Sequence, residues 1–195
     1  MKHIYEHALS NFYLFEDIIP LNEYNETLTL RAIKAIENDD FIRNDFKRFI
    51  AARDKINRGG FITPYTEREM IDENFQTFQV RGFDIGFALH KLHDGNVDIT
   101  SVFNNEDEVR NIGDYLLKAA LRHGGTQLDH FEGKLSDIYG RNGFKEYDRY
   151  KWDDNYAPQN WNYEKYGKPD VVLRRHENFM KENIKRDFFR LFDKL

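Results

Sequence analysis

Alternating apolar and polar residues in the middle of the chain predict a meander of β-strands. The stretch 75–80 alternates with a period of two, and a second stretch, 83–89, follows the turn-like pair Arg81–Gly82. The Asp94–Gly95 pair is typical of a tight hairpin turn and joins the second stretch to a third apolar run, 97–103. Three neighbouring antiparallel strands are therefore predicted.

After this meander the apolar spacing changes to that of a helix, and helices and strands then alternate. The run 111–121 predicts a helix, and 134–147 predicts a short helix that stops at Gly143 and continues as a strand. Further strands are expected at 127–131, 146–152 and 171–174.

Helical spacing also occurs towards both ends of the chain. It predicts two helices within 26–57, with Asn38–Asp39 as the N-cap of the second and Gly59–Gly60 as its stop. The stretch 1–21 allows a strand or a helix. At the carboxyl end, 177–195 predicts an amphipathic helix that covers its own sheet or docks on another subunit or a partner protein.

Composition favours one folded domain, 1–195. The chain is 40% hydrophobic and 15% aromatic, which supplies apolar surface for one core. Together with the order of elements, this predicts an α/β (α+β) fold: a mixed, mainly antiparallel sheet flanked by helices, with an extra helix at the carboxyl end.

Charge and cysteine content exclude several classes of function. The net charge of −5 is spread over interleaved acids and bases, which argues against nucleic-acid binding. The absence of cysteine excludes disulfides, thiolate metal sites and a cysteine nucleophile. No apolar run is long enough to span a bilayer or to form a signal peptide, so a cytoplasmic protein without a membrane association is expected.

Two short sequences carry a resemblance to a known family. The segments "IGDYLLKAAL" and "IYGRNGFKEY", with Tyr139, Gly143 and Phe144 in the second, occupy matching places in the order of elements over 75–176. The chain thereby resembles the GNAT superfamily of N-acetyltransferases, and 156–161 with 166–172 looks like GNAT-like proteins encoded in phage genomes. The resemblance implies acetyl-CoA as co-substrate and transfer of its acetyl group to an amine of a small molecule or a protein.

The resemblance also implies where acetyl-CoA binds. In this superfamily a strand diverges from its neighbour, the pantetheine arm inserts between them, and the pyrophosphate lies on amides at the start of the next helix. The positions implied here are Ser101, Val102, Phe103, Arg110, Asn111, Ile112, Gly113 and Asp114. Acidic residues crowd the loop, among them Glu106, Asp107 and Glu108, and each opposes a pyrophosphate. An anion cradle and a plain helix start with acids in its first turn therefore both remain open.

Tyr139 is the implied general acid, which protonates the departing CoA thiolate. Its alternative role is that of a core aromatic residue. Candidates for the base are Asp98 and Ser101 on one strand and Asp129 and His130 on the next. Because side chains alternate along a strand, at most one of Asp129 and His130 faces the cleft.

The remaining features suggest no further chemistry. The histidines lack the spacing of a metal site, so no metal is predicted. The aromatic stretch 155–163 either walls the acceptor site or packs on itself. Two hypotheses follow: an acyl-CoA-dependent N-acyltransferase, or a catalytically inactive GNAT-like module that binds another protein.

Overall fold

One seven-stranded sheet organises the chain. The computed structural model describes residues 21–55, 62–158 and 161–179. The strand order is β1-β2-β3-β4-β5-β7-β6, and every neighbouring pair is antiparallel except β4 and β5. The strands are β1 Phe41–Arg43, β2 Phe75–Val80, β3 Ile85–Lys91, β4 Val97–Asn104, β5 Gln127–Phe131, β6 Phe144–Tyr150 and β7 Val171–His176. The predicted mixed, mainly antiparallel sheet is therefore confirmed.

Helices cover both faces of this sheet and divide the described core into two parts. The α-helices are α1 Leu21–Glu37, α2 Phe46–Arg53, α3 Glu67–Asp72, α4 Gly113–Arg122, α5 Leu135–Arg141 and α6 Tyr163–Tyr166. On one face, here the α4 face, α1 and α4 pack together with α5 through residues such as Ile36, Leu117 and Tyr139. On the other, the α2 face, Phe49 of α2 and Met70 of α3 pack on the sheet.

The predicted N-cap at Asn38–Asp39 is wrong, because the segment after it is a strand. Phe41 pairs with Val80, and its buried ring packs edge-on against Phe78 of β2. The second helix begins only at Phe46, where the Asp45 carboxylate accepts a hydrogen bond from the Arg48 amide. The apolar residues across 42–50 have helical spacing, although they belong to two elements, a short edge strand and the helix that follows it.

Most of the other predicted elements are present with small shifts. β2 and β5 have the predicted bounds, and the helix, glycine and strand over 134–147 are confirmed. β3 begins at Ile85 instead of residue 83, and β6 begins at the buried Phe144 instead of residue 146. The predicted helix 177–195 lies, after residue 179, outside the described residues, as does the undecided stretch 1–21 up to residue 20.

A bulge in β4 interrupts its pairing with β3. Thr100 pairs with Ala88 and Phe103 with Gly86, so two residues of β4, Ser101 and Val102, lie opposite one residue of β3. Ser101 has the left-handed φ of 49°, which bends the strand.

β4 and β5 are joined only at their first residues. Their ladder consists of one pair, Asp98 with Gln127, supported by the Thr126 amide, which donates to the Val97 carbonyl oxygen at 2.8 Å. Beyond Asp98 the two strands are not paired, and a gap opens in the middle of the sheet. Among the described helices, none is long and apolar enough to cross a bilayer.

Candidate active site

Backbone amides at the start of α4 follow the end of β4 that is not paired with β5. The chain leaves β4 through a loop and turns at Asn111, whose φ of 56° is left-handed. Ile112 precedes α4 without a side-chain cap, and within the described part of the chain the amides of Asn111–Asp114 donate no hydrogen bond. The Arg110 amide, in contrast, donates to Thr29 Oγ1 at 3.3 Å. Four consecutive backbone N–H groups of the predicted pyrophosphate site, at the start of α4, thus have no described hydrogen-bond acceptor.

Two of the acidic side chains near these amides are held by other groups. Arg141 of α5 donates to both carboxylate oxygens of Asp114, and the Asn142 side-chain amide adds a third donor at 2.6 Å. These contacts lower the pKa of Asp114, the Arg141 hydrogen bond first among them. Glu106 Oε1 accepts a hydrogen bond from the Asp84 amide at 2.6 Å.

The arrangement reduces the repulsion that the sequence predicts at this loop. Asp114 carries its own counter-charge in Arg141, and Glu106 is tied to the β2–β3 turn. Asp107 and Glu108 remain exposed, where solvent screens their charge.

Ser101 places a polar atom without a described partner beside the gap. The residue is 6% exposed, and its hydroxyl oxygen makes no hydrogen bond among the described residues. A buried hydroxyl without a partner costs stability unless a ligand or water satisfies it. Val102 and Phe103, the other predicted contacts on β4, pack into the α4 face and the α2 face respectively.

Tyr139 approaches the gap from the α4 face. Its ring is 9% exposed and packs 4.9 Å from the His130 ring, centroid to centroid. Burial raises the pKa of its phenol to about 12, and the Asp129 charge adds to the rise. The hydroxyl makes no hydrogen bond to a described residue, so a protonated phenol is available as a donor.

His130 is fully engaged by its neighbours. Its Nδ1–H donates to the Phe131 carbonyl oxygen at 2.8 Å, and its Nε2 accepts from Arg174 Nε at 3.0 Å. Burial lowers the pKa of this imidazole, so the neutral tautomer with an Nδ1 proton fits both bonds. This arrangement favours a role in positioning Tyr139 over proton transfer with a ligand.

Two carboxyl groups lie on the α2 face where the gap begins. Asp98 forms the β4–β5 pair with Gln127, and burial raises its pKa to about 7, with a further rise from Asp129. Asp129 lies further along the same face, on β5; its side chain is exposed, and partial desolvation by the surrounding protein raises its pKa too. Side-chain alternation thus separates Asp129 from His130 as expected, and it places Asp129 on the same face of the sheet as Asp98.

The gap is therefore bordered by complementary groups on its two faces. A phenol and unbonded amides lie on the α4 face, and two carboxyl groups with raised pKa values lie on the α2 face. Within the described residues, no group of three or more histidine and acidic side chains is suited to hold a metal ion.

Comparison with known proteins gives two likenesses among solved structures. No protein-family model matches the sequence, and no curated protein matches it significantly. An N-acetylglutamate synthase from Neisseria gonorrhoeae, solved with coenzyme A and L-arginine, is 15% identical over 68% of this chain, with a TM-score of 0.39. This chain spans 31% of that protein's length.

The second similar structure is a GNAT family acetyltransferase from Elizabethkingia anophelis with acetyl-CoA bound. It is 18% identical over 57% of this chain and 83% of its own, with a TM-score of 0.40. At such low values the two likenesses bear on neither substrate nor mechanism.

Proposed function

We propose that this chain is an acyl-CoA-dependent N-acyltransferase that transfers an acetyl group directly to an amine. The observation that carries the proposal is the gap between β4 and β5, which is bordered by the unbonded amides of Asn111–Asp114. An extended pantetheine arm needs a sheet edge with unpaired donors and acceptors, and a pyrophosphate needs free amides at a helix start. The presence of both features at one place in the fold supports the proposal.

The residues at the gap fit acetyl-CoA in three respects. Asp114 and Glu106, which would oppose a pyrophosphate, are held by other groups. The unpartnered Ser101 hydroxyl offers a buried donor to an amide or thioester carbonyl. Gly113 leaves space above the helix start, because a Cβ there would meet only Ile138, at an ordinary 3.8 Å.

The chemistry assigned to the site is one bond exchange with three proton transfers, two from the nitrogen and one to the sulfur. The acceptor nitrogen attacks the thioester carbonyl, the C–N bond forms and the C–S bond breaks. Asp98 takes the proton that the ammonium must lose, since its carboxyl is largely ionised above pH 7. Tyr139 gives its phenolic proton to the departing thiolate, and the phenolate then takes the second proton that the nitrogen loses as it becomes the amide.

Thermal-shift titration with acetyl-CoA tests the binding step. The wild type should gain stability in proportion to the logarithm of ligand concentration above Kd. Gly113→Glu should abolish this gain, because it places a carboxylate at the helix start while a first-turn acid leaves α4 folded. Gly113→Gln has nearly the same size without the charge and should keep most of the gain.

Two results contradict the proposal. One is an unchanged melting temperature of the wild type at millimolar acetyl-CoA. The other is an equal loss of the gain in the Gly113→Glu and Gly113→Gln proteins, which would show that charge at this helix start is irrelevant to the ligand. Either result favours the inactive protein-binding module instead.

A further inference from the structure

An aromatic pocket lies beyond the two carboxyl groups on the α2 face. It has a volume of about 350 Å³ and is formed where β5 and β6 end and β7 begins. Its lining is mainly aromatic. Phe131, Tyr150, Trp152, Tyr156 and Val171 supply its apolar surface, and the charged residues Lys151 and Asp153 complete it. This size and composition suit one small ring system.

Hydrogen bonds and ion pairs within the protein engage the main polar groups around the pocket. The indole N–H of Trp152 donates to Asp154 at 2.7 Å, and Lys151 pairs with Asp170 at 2.8 Å. Asp153 accepts from the backbone amide of Asn155 at 2.9 Å. Ring surfaces are therefore what the pocket offers to a ligand.

The rings at the mouth of the pocket are unusually exposed. Tyr156 is 85% exposed and Tyr150 is 58% exposed. Behind them, Trp152 and Trp161 pack with a centroid distance of 5.1 Å, and Trp161 lies 4.9 Å from the Phe131 ring. A packed aromatic floor with exposed aromatic walls is suited to receive a flat apolar group.

The strand register places this pocket next to the proposed acceptor site. Phe131 follows Asp129 by two residues on β5, so both side chains lie on the same face, with Cα atoms roughly 7 Å apart. Asp98 lies further along the same face, beside Gln127. An ammonium group at the carboxyl groups and a ring over Phe131 are thus separated by the length of a short alkyl chain.

We infer that the acceptor is an arylalkylamine, whose ring occupies the aromatic pocket while its ammonium group contacts Asp129 beside Asp98. The inference rests on the proposed transferase function for the identity of the site, and its binding step does not need acetyl-CoA. The two carboxyl groups supply the charge that a cationic amine requires, and the pocket supplies the apolar surface that a plain alkylamine would leave uncovered.

Tryptophan fluorescence tests the inference directly, because the only two tryptophans of the chain, Trp152 and Trp161, are in or beside the pocket. In the absence of acetyl-CoA, 2-phenylethylamine should quench their emission in a saturable manner. It should bind at least about tenfold more tightly than n-butylamine, which has the charge without the ring. It should also bind more tightly than 2-phenylethanol, and this second difference should shrink in Asp129→Asn.

Tyr156→Ala should weaken 2-phenylethylamine about threefold to tenfold. Because Tyr156 is largely exposed, the fold should tolerate this change. Tyr24→Ala removes another exposed tyrosine, on α1, and should leave binding unchanged.

Three outcomes overturn the inference: no saturable quenching, equal binding of n-butylamine and 2-phenylethylamine, or equal effects of the two tyrosine substitutions. A failure of acetyl-CoA to stabilise the protein would instead overturn the transferase function. It would leave the fluorescence result to decide whether the pocket binds arylalkylamines.

Discussion

Replacement of Tyr139 by phenylalanine is expected to lower kcat for acetyl transfer by about 10²- to 10⁴-fold, the range that a positioned general acid contributes. The buried phenol has a pKa of about 12 and has no described hydrogen-bond partner, so it is protonated and available throughout the working pH range. The ring packs between His130 and Phe144, and phenylalanine keeps that packing. The melting temperature and the KM for acetyl-CoA should therefore change little.

Steady-state kinetics of the Tyr139→Phe protein, with Tyr24→Phe as a control, measure this effect. The control removes a hydroxyl from an exposed tyrosine on α1 and should retain full activity. A kcat of the Tyr139→Phe protein within about twofold of the wild type would limit Tyr139 to its packing role.

Replacement of Asp98 by asparagine is expected to lower kcat/KM by about 10²-fold at pH 8, because the acceptor amine loses its base. In the wild type, log kcat/KM should rise with pH and level off near pH 7, where the Asp98 carboxyl ionises. The variant should lose this inflection. In Asp129→Asn the inflection should move to lower pH, because the neighbouring charge no longer raises the pKa of Asp98.

The Asp98→Asn protein should be more stable than the wild type, although its activity is lower. The folded-state pKa of Asp98 is raised, so the folded protein holds its proton more tightly than the unfolded chain does, and the free energy of unfolding falls as pH rises from about 4 to about 7. Asparagine removes this penalty. The variant should therefore be more stable than the wild type at pH 8, by at most about 4 kcal/mol, and the difference should shrink as the pH falls from about 7 to about 4.

Activity and stability together identify the role of Asp98. Lower activity in a more stable protein, with the pH inflection lost, indicates a base. Lower activity with a wild-type pH inflection would assign the base to another group. Lower stability at pH 8 would show that favourable contacts of the Asp98 carboxylate outweigh the cost of its burial.

The strands of the sheet were predictable because their signals are local. The alternation over 75–80, the Asp94–Gly95 turn and the Gly143 stop each act over a few residues, and the structure has these elements. β1 was missed because three residues at a sheet edge have no periodicity of their own. Pairing with β2 and burial of Phe41 decide its conformation.

The site was only partly predictable because its properties depend on contacts between distant segments. Asp114 has an acidic side chain in the sequence, but its pairing with Arg141, 27 residues later, is a tertiary contact. The pKa of Asp98 likewise depends on its neighbour in β5 and on burial. The positive φ in the bulge belongs to Ser101 and not to a glycine, so the sequence contains no local signal for the bulge. The divergence of β4 from β5 could therefore be expected only from the family resemblance.

The central claim is that the gap between β4 and β5 and the start of α4 bind acyl-CoA. Amide hydrogen exchange with and without CoA tests it most directly, because it reports on the backbone donors themselves. We expect CoA to slow exchange in 99–104 and in Asn111–Asp114, while β2 exchanges as before. Unchanged exchange in both segments at saturating CoA would contradict the account.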